Sequence, residues 1–219
     1  MNQETCLHCC TKIENLTVKF DDTVIVENFN LHINCKELIA VVGPNGTGKT
    51  TLLRAILEEI PYTGSVHYRV KGSLDEKPMI GYVPQKLHFD LDSPISVSDF
   101  VGISISKTPI FAGIGPRLKQ QIQSTLLQFG VTHLMDKKIG EISGGEMQKI
   151  LLSIAMRPIP NLLLLDEPDA GVDTYGLSLF YKIISDLRKQ HDISIIMVTH
   201  DLEGISAYAD KIITMGHRS

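Results

Sequence analysis

The feature that most constrains this chain is a glycine-rich turn between an apolar run and an amphipathic helix. The run, ELIAVVG (37–43), has the near-continuous apolar character of a strand buried on both faces. The turn, GPNGTGKTT (Gly43–Thr51), matches G-x-x-x-x-G-K-[ST], and apolar residues recur at helical spacing from Lys49 to Ile60. A strand, a loop and a helix in this order predict a loop whose backbone N–H groups bind phosphate oxygens.

The residues of this turn have defined roles in a phosphate-binding loop. The glycines allow backbone N–H groups to converge, the Lys49 ammonium reaches the β- and γ-phosphates, and the Thr50 hydroxyl ligates Mg²⁺. A purely structural glycine turn is the alternative, and the strand and helix on either side disfavour it. The sequence therefore predicts binding of a nucleoside triphosphate. The candidate ligands are Gly43, Pro44, Asn45, Gly46, Thr47, Gly48, Lys49, Thr50 and Thr51.

An acidic pair follows a second buried run, NLLLLDEP (161–168). Asp166 ends the run and is expected to hold Mg²⁺, often through water. Because side chains alternate along a strand, Glu167 should be aimed in another direction, which suits a general base for the attacking water. Acidic residues end many strands, so the pair indicates a catalytic site only in combination with the phosphate loop.

The order of buried runs and helical segments indicates the fold class. Further strand candidates are LTVKF (16–20), FNLHI (29–33), MIGYVP (79–84), DISIIMVTH (192–200) and KIITM (211–215). Strands that alternate with helices predict an α/β domain with a mainly parallel sheet. Residues of about 93–138 interrupt this pattern as a helical insert, in which Pro116 can begin a helix and Gly130 can end it.

Composition agrees with one folded domain and disfavours several classes of protein. The chain has 219 residues, of which 43% are hydrophobic and 21% charged, so it can bury a sizeable core. A net charge of −4 argues against electrostatic binding of nucleic acid, and no nucleic-acid partner is expected. No apolar run approaches the roughly 18–20 residues that span a bilayer, and the first residues lack a secretory signal pattern. The sequence predicts a cytosolic chain.

Four residues near the N-terminus, Cys6, His8, Cys9 and Cys10, have side chains that could bind a metal ion. No second Cys/His pair follows at zinc-finger spacing, and the adjacent Cys9 and Cys10 are strained as joint ligands. A reduced N-terminal tail is the favoured interpretation, and metal binding stays open.

The segment ISGGEMQKI (Ile142–Ile150) resembles the LSGGQ signature of ABC-type ATPases, and a short helix separates it from the acidic pair. Isoleucine replaces the leucine of the signature, and Glu146 replaces its glutamine. Ser143 can cap the helix, and the two glycines leave N–H groups open to an anion. Ser143-x-x-Glu146 is also a capping box, so in isolation the motif could be an ordinary helix start.

The resemblance to ABC ATPases covers residues 16 to about 215. It implies a P-loop NTPase fold of ABC type, with an N-terminal antiparallel β-subdomain and a mainly parallel sheet. The ATP-binding core would span about 12–92 and 139–219, and the helical subdomain about 93–138. In this family the signature motif binds ATP held by the opposing subunit, which implies a homodimer on ATP binding. The signature residues would be Ser143, Gly144, Gly145 and Glu146.

The same resemblance assigns roles to four further residues. Phe20 has the position of the aromatic side chain that stacks on adenine, although by itself it would be interpreted as a core residue. Asp173, in DAGVD, matches the D-loop at the dimer seam. His200, in VTHD, matches the switch histidine that contacts the γ-phosphate, and Gln85 matches the glutamine that touches Mg²⁺ or the attacking water. The implied catalytic residues are Glu167, His200 and Gln85, and the implied Mg²⁺ ligands are Thr50, Gln85 and Asp166.

The segment YVPQKLHFDLDSPISVSDFV (82–101) resembles the zinc and manganese importer branch of the family, as do GVD in the D-loop and GGEMQK in the signature. This implies an ATP-hydrolysing subunit that powers import of zinc, manganese or iron. Integral-membrane permease subunits would dock beside Gln85, partly on residues Leu87 to Asp92, and a solute-binding protein would act indirectly. The chain would lie on the cytoplasmic face of the inner membrane.

Two alternatives to metal import stay open. One is an importer ATPase for another substrate. The other is a non-transport ABC ATPase, such as a cell-division or mechanotransmission type. DNA-repair and translation ATPases usually carry paired domains, long coiled-coil insertions or basic arms, and the sequence contains none of these.

Overall fold

The computed structural model describes residues 9–70, 78–85, 93–106, 113–169 and 172–216. The strands in these ranges are β1 (Cys9–Phe20), β2 (Thr23–Asn34), β3 (Leu38–Val42), β4 (Thr63–Val70), β5 (Ile80–Val83), β6 (Leu162–Asp166), β7 (Ser194–Thr199) and β8 (Lys211–Thr214). The helices are α1 (Lys49–Ile56), α2 (Val97–Ile105), α3 (Pro116–Leu127), α4 (Gly144–Ala155), α5 (Thr174–His191) and α6 (Leu202–Ser206). Within these ranges, no helix is both long and apolar enough to cross a membrane.

A five-stranded sheet in the order β5-β6-β7-β3-β8 forms the centre of the molecule. Its neighbouring strands all pair in parallel. Every residue of β3, β6 and β7 is buried, which explains why these strands are near-continuous apolar runs. The predicted α/β class with a mainly parallel sheet is confirmed.

The central strands separate two apolar clusters. Leu38, Ala40 and Val42 of β3 belong to one cluster, and Ile39 and Val41 belong to the other. Consecutive side chains of a strand point to opposite faces, so β3 is fixed from both sides. Full burial of each leucine, isoleucine or valine contributes about 1.5–3 kcal/mol, which makes the sheet a rigid support for the loops at its carboxyl end.

A second sheet is antiparallel, with the strand order β2-β1-β4. A turn at Asp21 and Asp22 joins β1 to β2, and Asp21 adopts a positive φ of 50° there. The strand β1 begins well before the predicted LTVKF. The sequence does not predict the strand β4, because TGSVHYRV mixes polar and apolar residues. Among the described residues, β4 pairs with β1 at the edge of this sheet.

The predicted helical insert contains two α-helices and a short 3-10 helix (Thr132–Leu134) in its described residues. Pro116 stands at the start of α3, and Gly130 follows the helix with a positive φ of 68°, as the sequence indicates. Ser96 caps α2 through a capping box with Asp99. The insert packs on the central sheet through one continuous apolar cluster. Its boundaries as a separate subdomain stay a prediction.

Candidate active site

The carboxyl ends of four neighbouring parallel strands carry the predicted motifs. Gln85 follows β5, Asp166 ends β6, His200 follows β7, and Gly43 follows β3. In the sheet, β7 lies between β6 and β3, so His200 lies between the strand ends that lead to the acidic pair and to the phosphate loop. In open α/β sheets, ligands bind outside the carboxyl ends of the strands. The topology therefore predicts one site at this edge.

A cleft of 390 Å³ opens at this edge of the sheet. We call it the phosphate-loop cleft, and its lining residues are Ile25, Asn45, Gly46, Gly48, Lys49, Thr50, Thr51, Gln85 and Glu167. The fold thus brings the glycine-rich turn together with one member of the acidic pair and with the glutamine after β5.

Gly48 determines how the phosphate loop enters its helix. It is the N-cap of α1 with a φ of 91°, and no side chain caps the helix. A Cβ at this position would lie 2.9 Å from Cγ2 of Ile25, so a larger residue would be both strained and crowded. The first N–H groups of α1 are left without a side-chain cap, which is the arrangement that binds anions. The helix ends at Ile56, earlier than predicted, where Glu58 adopts a positive φ of 60°.

Lys49 lies at the floor of the phosphate-loop cleft with only 3% of its surface exposed. Its Nζ donates hydrogen bonds to the carbonyl oxygens of Gly43 (2.9 Å) and Pro44 (3.1 Å). It also forms an ion pair with Oε1 of Glu167 at 3.0 Å. A buried ammonium needs such partners, because an isolated buried charge is strongly unfavourable. The three oxygens therefore hold the cation where the loop N–H groups converge.

Glu167 is held at both of its carboxylate oxygens. While Oε1 pairs with Lys49, Oε2 accepts a hydrogen bond of 2.5 Å from Nε2 of Gln85. The backbone of Glu167 has a φ of 44° and donates its N–H to the carbonyl oxygen of Val198 at 2.8 Å. Left-handed conformations of residues other than glycine cost about 1–3 kcal/mol and are concentrated at functional sites. The sequence predicts the direction of Glu167 from strand alternation, but β6 ends at Asp166, and the left-handed backbone of Glu167 aims the carboxylate.

Asp166 is buried beneath the phosphate loop. Its Oδ1 accepts a hydrogen bond from Oγ1 of Thr50 at 3.0 Å, and its Oδ2 accepts one from the hydroxyl of Tyr82 at 3.1 Å. Burial raises the pKa of Asp166, and the bonds from Thr50 and Tyr82 act in the opposite direction. Hydroxyl, carboxylate and amide oxygens are the ligands that Mg²⁺ prefers, and Thr50, Asp166 and Gln85 fit that ion.

Tyr82 is a site residue that the sequence did not single out. The signal was available, since Tyr82 lies in a predicted strand three residues before Gln85, and a tyrosine hydroxyl that leaves water usually has a hydrogen-bond partner. Here the partner is the carboxylate of Asp166. Tyr82 therefore orients a residue that is expected to hold Mg²⁺.

We expect Tyr82→Phe to raise the Mg²⁺ concentration for half-maximal ATP hydrolysis about tenfold, because partners that orient metal ligands contribute tenfold to hundredfold. The measurement is a magnesium titration of ATPase activity. Tyr62→Phe is the matched control, since Tyr62 is also partly buried and lies outside the phosphate-loop cleft. An unchanged magnesium requirement in Tyr82→Phe would contradict this role.

The signature motif forms a second cleft of 230 Å³. This signature cleft is lined by Ser143, Gly144, Gly145, Glu146, Gln148, Lys149, Val172, Asp173, Tyr175, Gly176, Leu179 and Phe180. Asp173 caps α5 by accepting the N–H of Gly176 at 2.7 Å. The four predicted signature residues and the predicted D-loop residue therefore lie together. The signature cleft and the phosphate-loop cleft share no lining residue.

Ser143 and Glu146 form the predicted capping box at the start of α4. Oγ of Ser143 accepts the N–H of Glu146 at 3.3 Å, and Oε2 of Glu146 accepts the N–H of Ser143 at 2.8 Å. The bond from the Ser143 backbone, opposed by partial burial, lowers the pKa of Glu146 below its usual value of 4.5. Glu146 therefore orders the helix start that carries the two glycines of the motif.

We expect Glu146→Ala to lower the free energy of unfolding by about 0.3–1 kcal/mol at neutral pH, because it removes a carboxylate from a helix N-terminus. A carboxylate with a lowered folded-state pKa stabilises the fold above its unfolded pKa, and this is lost as the pH falls through the lowered value. The difference from wild type should therefore narrow as the pH falls below 4.5. Denaturant titrations across pH test this.

Glu146→Gln is the control for this titration. Glutamine can make the same capping bond but does not titrate. It should therefore keep the part of the stability that comes from the capping bond, lose the part that comes from the carboxylate charge, and show no pH dependence from this position. A pH dependence that persisted in Glu146→Gln would contradict the assignment.

Gly43, Pro44, Thr47 and Asp166 do not line the phosphate-loop cleft, and neither do His200 and Phe20. His200 lines a separate cleft of 580 Å³, which we call the His200 cleft, together with Asp169, Val172, Thr174, Leu177, Asp201, Leu202 and Glu203. Phe20 is half exposed at the end of β1, where it pairs with Thr23. Their predicted contacts with the γ-phosphate and with adenine stay predictions.

Several predictions concern residues beyond those that the structure describes. The proposed docking residues Leu87 to Asp92 and the side chains of Cys6, His8 and Cys9 are among these. In the part of the chain that is described, no group of three or more His, Cys, Asp or Glu side chains could hold a metal ion.

Comparison with known protein families decides what kind of site this is. The family described as "ABC transporter" matches residues 26–170, which include the phosphate loop, the signature motif and the acidic pair. The chain belongs to the ABC transporter family. As an ABC ATPase it binds and hydrolyses ATP, and the predicted P-loop NTPase fold of ABC type is confirmed.

Curated relatives and solved structures agree with this assignment. The ABC ATPase is 36% identical over 206 residues to the zinc import ATP-binding protein ZnuC of Saccharophagus degradans, covering 93% of this chain and 75% of that protein. It is 38% identical over 203 residues to ZnuC of Pasteurella multocida, covering 92% and 71%. A metal-chelate type ABC transporter in an inward-facing conformation aligns with a TM-score of 0.80 and 26% identity, covering 95% of this chain and 80% of that one. CbiO1 of Clostridium perfringens, part of an ABC transporter complex, aligns with a TM-score of 0.74 and 26% identity, covering 94% and 84%.

Proposed function

We propose that this chain is the ATP-hydrolysing subunit of a membrane importer for a divalent transition metal, with zinc as the favoured cargo. The names of the curated relatives, which are zinc import ATP-binding proteins, support the cargo. The resemblance of residues 82–101 to the zinc and manganese importer branch also supports it. Manganese and iron are the nearest alternatives.

The observation that carries the catalytic part is the chain of contacts from Lys49 through Glu167 to Gln85. The N–H groups of the phosphate loop and the Lys49 ammonium would bind the β- and γ-phosphates. Thr50, Asp166 and Gln85 would hold Mg²⁺, which neutralises phosphate charge when it is bound. Glu167 would accept the proton of the attacking water, and Gln85 would orient that water.

These contacts couple ATP binding to activation of the base. One lone pair of each Glu167 oxygen is engaged, by Lys49 at Oε1 and by Gln85 at Oε2, so an approaching water competes with these two contacts. Phosphate oxygens compete for the Lys49 ammonium, and their binding would release Oε1. The same group that binds the phosphates therefore controls when Glu167 becomes a base.

The separation of the two clefts supports a homodimer on ATP binding. The phosphate-loop cleft holds the catalytic residues, and the signature cleft presents the helix N-terminus that suits an anion. A head-to-tail pair would place the signature cleft of one subunit over the phosphate-loop cleft of the other. Each subunit would then complete the site of its partner.

The membrane partners are integral-membrane permease subunits, with a solute-binding protein acting indirectly. In this proposal the chain is a peripheral subunit on the cytoplasmic face of the inner membrane. Gln85 connects the catalytic residues to the segment that resembles the docking region. A change in its contact with Glu167 would therefore be transmitted toward the permease.

Metal uptake in cells that lack this chain tests the proposal. We expect accumulation of ⁶⁵Zn²⁺ to fall, and to be restored by the wild-type chain but not by Lys49→Ala. Lys182→Ala, which changes an exposed lysine of α5, is the matched control and should restore uptake. Parallel assays with manganese and iron isotopes identify the cargo. Unchanged uptake of all three metals, with ATPase activity intact, would contradict metal import while leaving the ATPase assignment in place.

A further inference from the structure

Asp169 brings together the two strand ends that carry the acidic pair and the switch histidine. It lies three residues after Asp166, in the turn that follows β6. In the pairing of β6 with β7, Asp166 is opposite Val198, so this turn runs beside Thr199 and His200. The sequence did not single out Asp169, because an aspartate in a turn is common.

The carboxylate of Asp169 is buried, with 8% of the residue exposed, and its Oδ2 has two polar partners. Oγ1 of Thr199 donates to it at 2.9 Å, and Nδ1 of His200 lies 3.1 Å away. Oγ1 of Thr199 also accepts the N–H of Asp201 at 2.9 Å, so its hydroxyl hydrogen is directed to Asp169. Asp169 is thus fixed by a buried hydroxyl and holds one nitrogen of the imidazole.

The His200 side chain is 58% exposed, so packing alone does little to fix its ring. An imidazole with Nδ1–H donated to a carboxylate leaves Nε2 as the nitrogen that can meet another partner. This is the arrangement by which a carboxylate orients a catalytic or metal-binding histidine. The contact with Asp169 therefore selects both the orientation of the ring and the nitrogen that remains available.

A merely structural role does not require a carboxylate at this position. Burying a charge is unfavourable, and a neutral serine or threonine could accept the hydrogen bond from Thr199. The charge of the Asp169 carboxylate is explained if it orients the imidazole of His200. Pro168 links Asp169 to Glu167, so the residue that holds the histidine and the predicted base share one short, stiff turn.

We propose that Asp169 is a positioning residue for ATP hydrolysis, which holds Nδ1 of His200 so that Nε2 faces the terminal phosphate. This rests on the proposed role of His200 as the switch histidine. Asp169 acts through His200 and touches neither ATP nor the attacking water.

Steady-state kinetics of the full chain test the proposal. We expect Asp169→Asn to lower kcat for ATP hydrolysis about tenfold or more while KM for ATP changes less than about twofold, because oriented partners contribute tenfold to hundredfold to activity. The loss should be absent when His200 is already alanine, since a residue that acts through another is not additive with it. Asp186→Asn, an exposed aspartate of α5, should leave kcat unchanged.

Nitrogen NMR measures which ring nitrogen of His200 carries the proton. This tautomer should not change if the role of Asp169 is only structural. In the wild type we expect the proton of the neutral ring on Nδ1, and in Asp169→Asn a mixture of both tautomers at unchanged thermal stability. Thr199→Val keeps the carboxylate of Asp169 but removes one of its hydrogen-bond partners. It should also lower kcat, by a smaller factor than Asp169→Asn does. It serves as the second variant if Asp169→Asn does not fold.

The outcomes separate this inference from the role of His200. If His200→Ala retains normal kcat, the switch-histidine role fails. If His200→Ala is slow but Asp169→Asn and Thr199→Val are not, only the positioning role of Asp169 is overturned. The positioning role would also be overturned if Asp169→Asn lowered kcat by the same factor in the wild type and in His200→Ala.

Discussion

Glu167→Gln is expected to lower kcat for ATP hydrolysis by about 10²–10⁴-fold, the usual contribution of a general base. Glutamine has nearly the same size. Its oxygen can still bind Lys49, and its NH2 group can donate to the side-chain oxygen of Gln85 once that amide turns over, so the phosphate-loop cleft should keep its shape. It cannot accept a proton from water at neutral pH. ATP affinity should therefore stay close to wild type, because the phosphate loop and Lys49 are unchanged.

Because Glu167→Gln should bind ATP without hydrolysing it, this variant should also accumulate as an ATP-bound dimer. In Glu167→Gln, ATP would persist between the phosphate-loop cleft and the signature cleft of the partner, and light scattering with ATP should report twice the mass of one chain. Glu59→Gln makes the same chemical change at an exposed residue that pairs with Arg54, and it should behave as wild type. Normal turnover in Glu167→Gln would refute the general-base assignment.

Lys49→Ala should remove most ATP binding. Hydrogen bonds that involve a charged group contribute about 1.5–3 kcal/mol, and each 1.4 kcal/mol is a tenfold change in Kd, so we expect Kd to rise at least about tenfold. The change also leaves the Glu167 carboxylate without its ion pair at the floor of the cleft. Calorimetric titration with ATP measures the loss.

The control for Lys49→Ala is Lys182→Ala, which removes an ammonium from the exposed face of α5. For Lys182→Ala, both the Kd for ATP and the thermal unfolding before ATP is added should match wild type. A wild-type ATP affinity in Lys49→Ala would show that the backbone N–H groups bind the phosphates without the ammonium.

The sequence was most informative where one motif needs one backbone arrangement. The phosphate loop requires a buried strand before it and a helix after it, and GPNGTGKTT had both. The strands β3, β6 and β7 were predictable because burial on both faces demands continuous apolar residues. The capping box of Ser143 and Glu146 was predictable because both partners lie within one helical turn.

Contacts between distant segments could not be predicted in this way. Tyr82 meets Asp166 only because β5 pairs with β6, and Asp169 meets His200 only because β6 pairs with β7. The sequence contains each residue but not the strand order that joins them. The positive φ of Glu167 is also invisible in the sequence, because glutamate rarely adopts it.

The separation of the phosphate-loop cleft from the signature cleft has a kinetic consequence. If each chain supplies half of every composite site, the rate of hydrolysis at low concentration depends on encounters between two chains, and activity per chain should rise as the solution is concentrated. Permease subunits that hold two chains side by side would replace this encounter with a high effective concentration. Dilute isolated chains would then hydrolyse little ATP, and the cell would consume ATP mainly where a transporter has assembled.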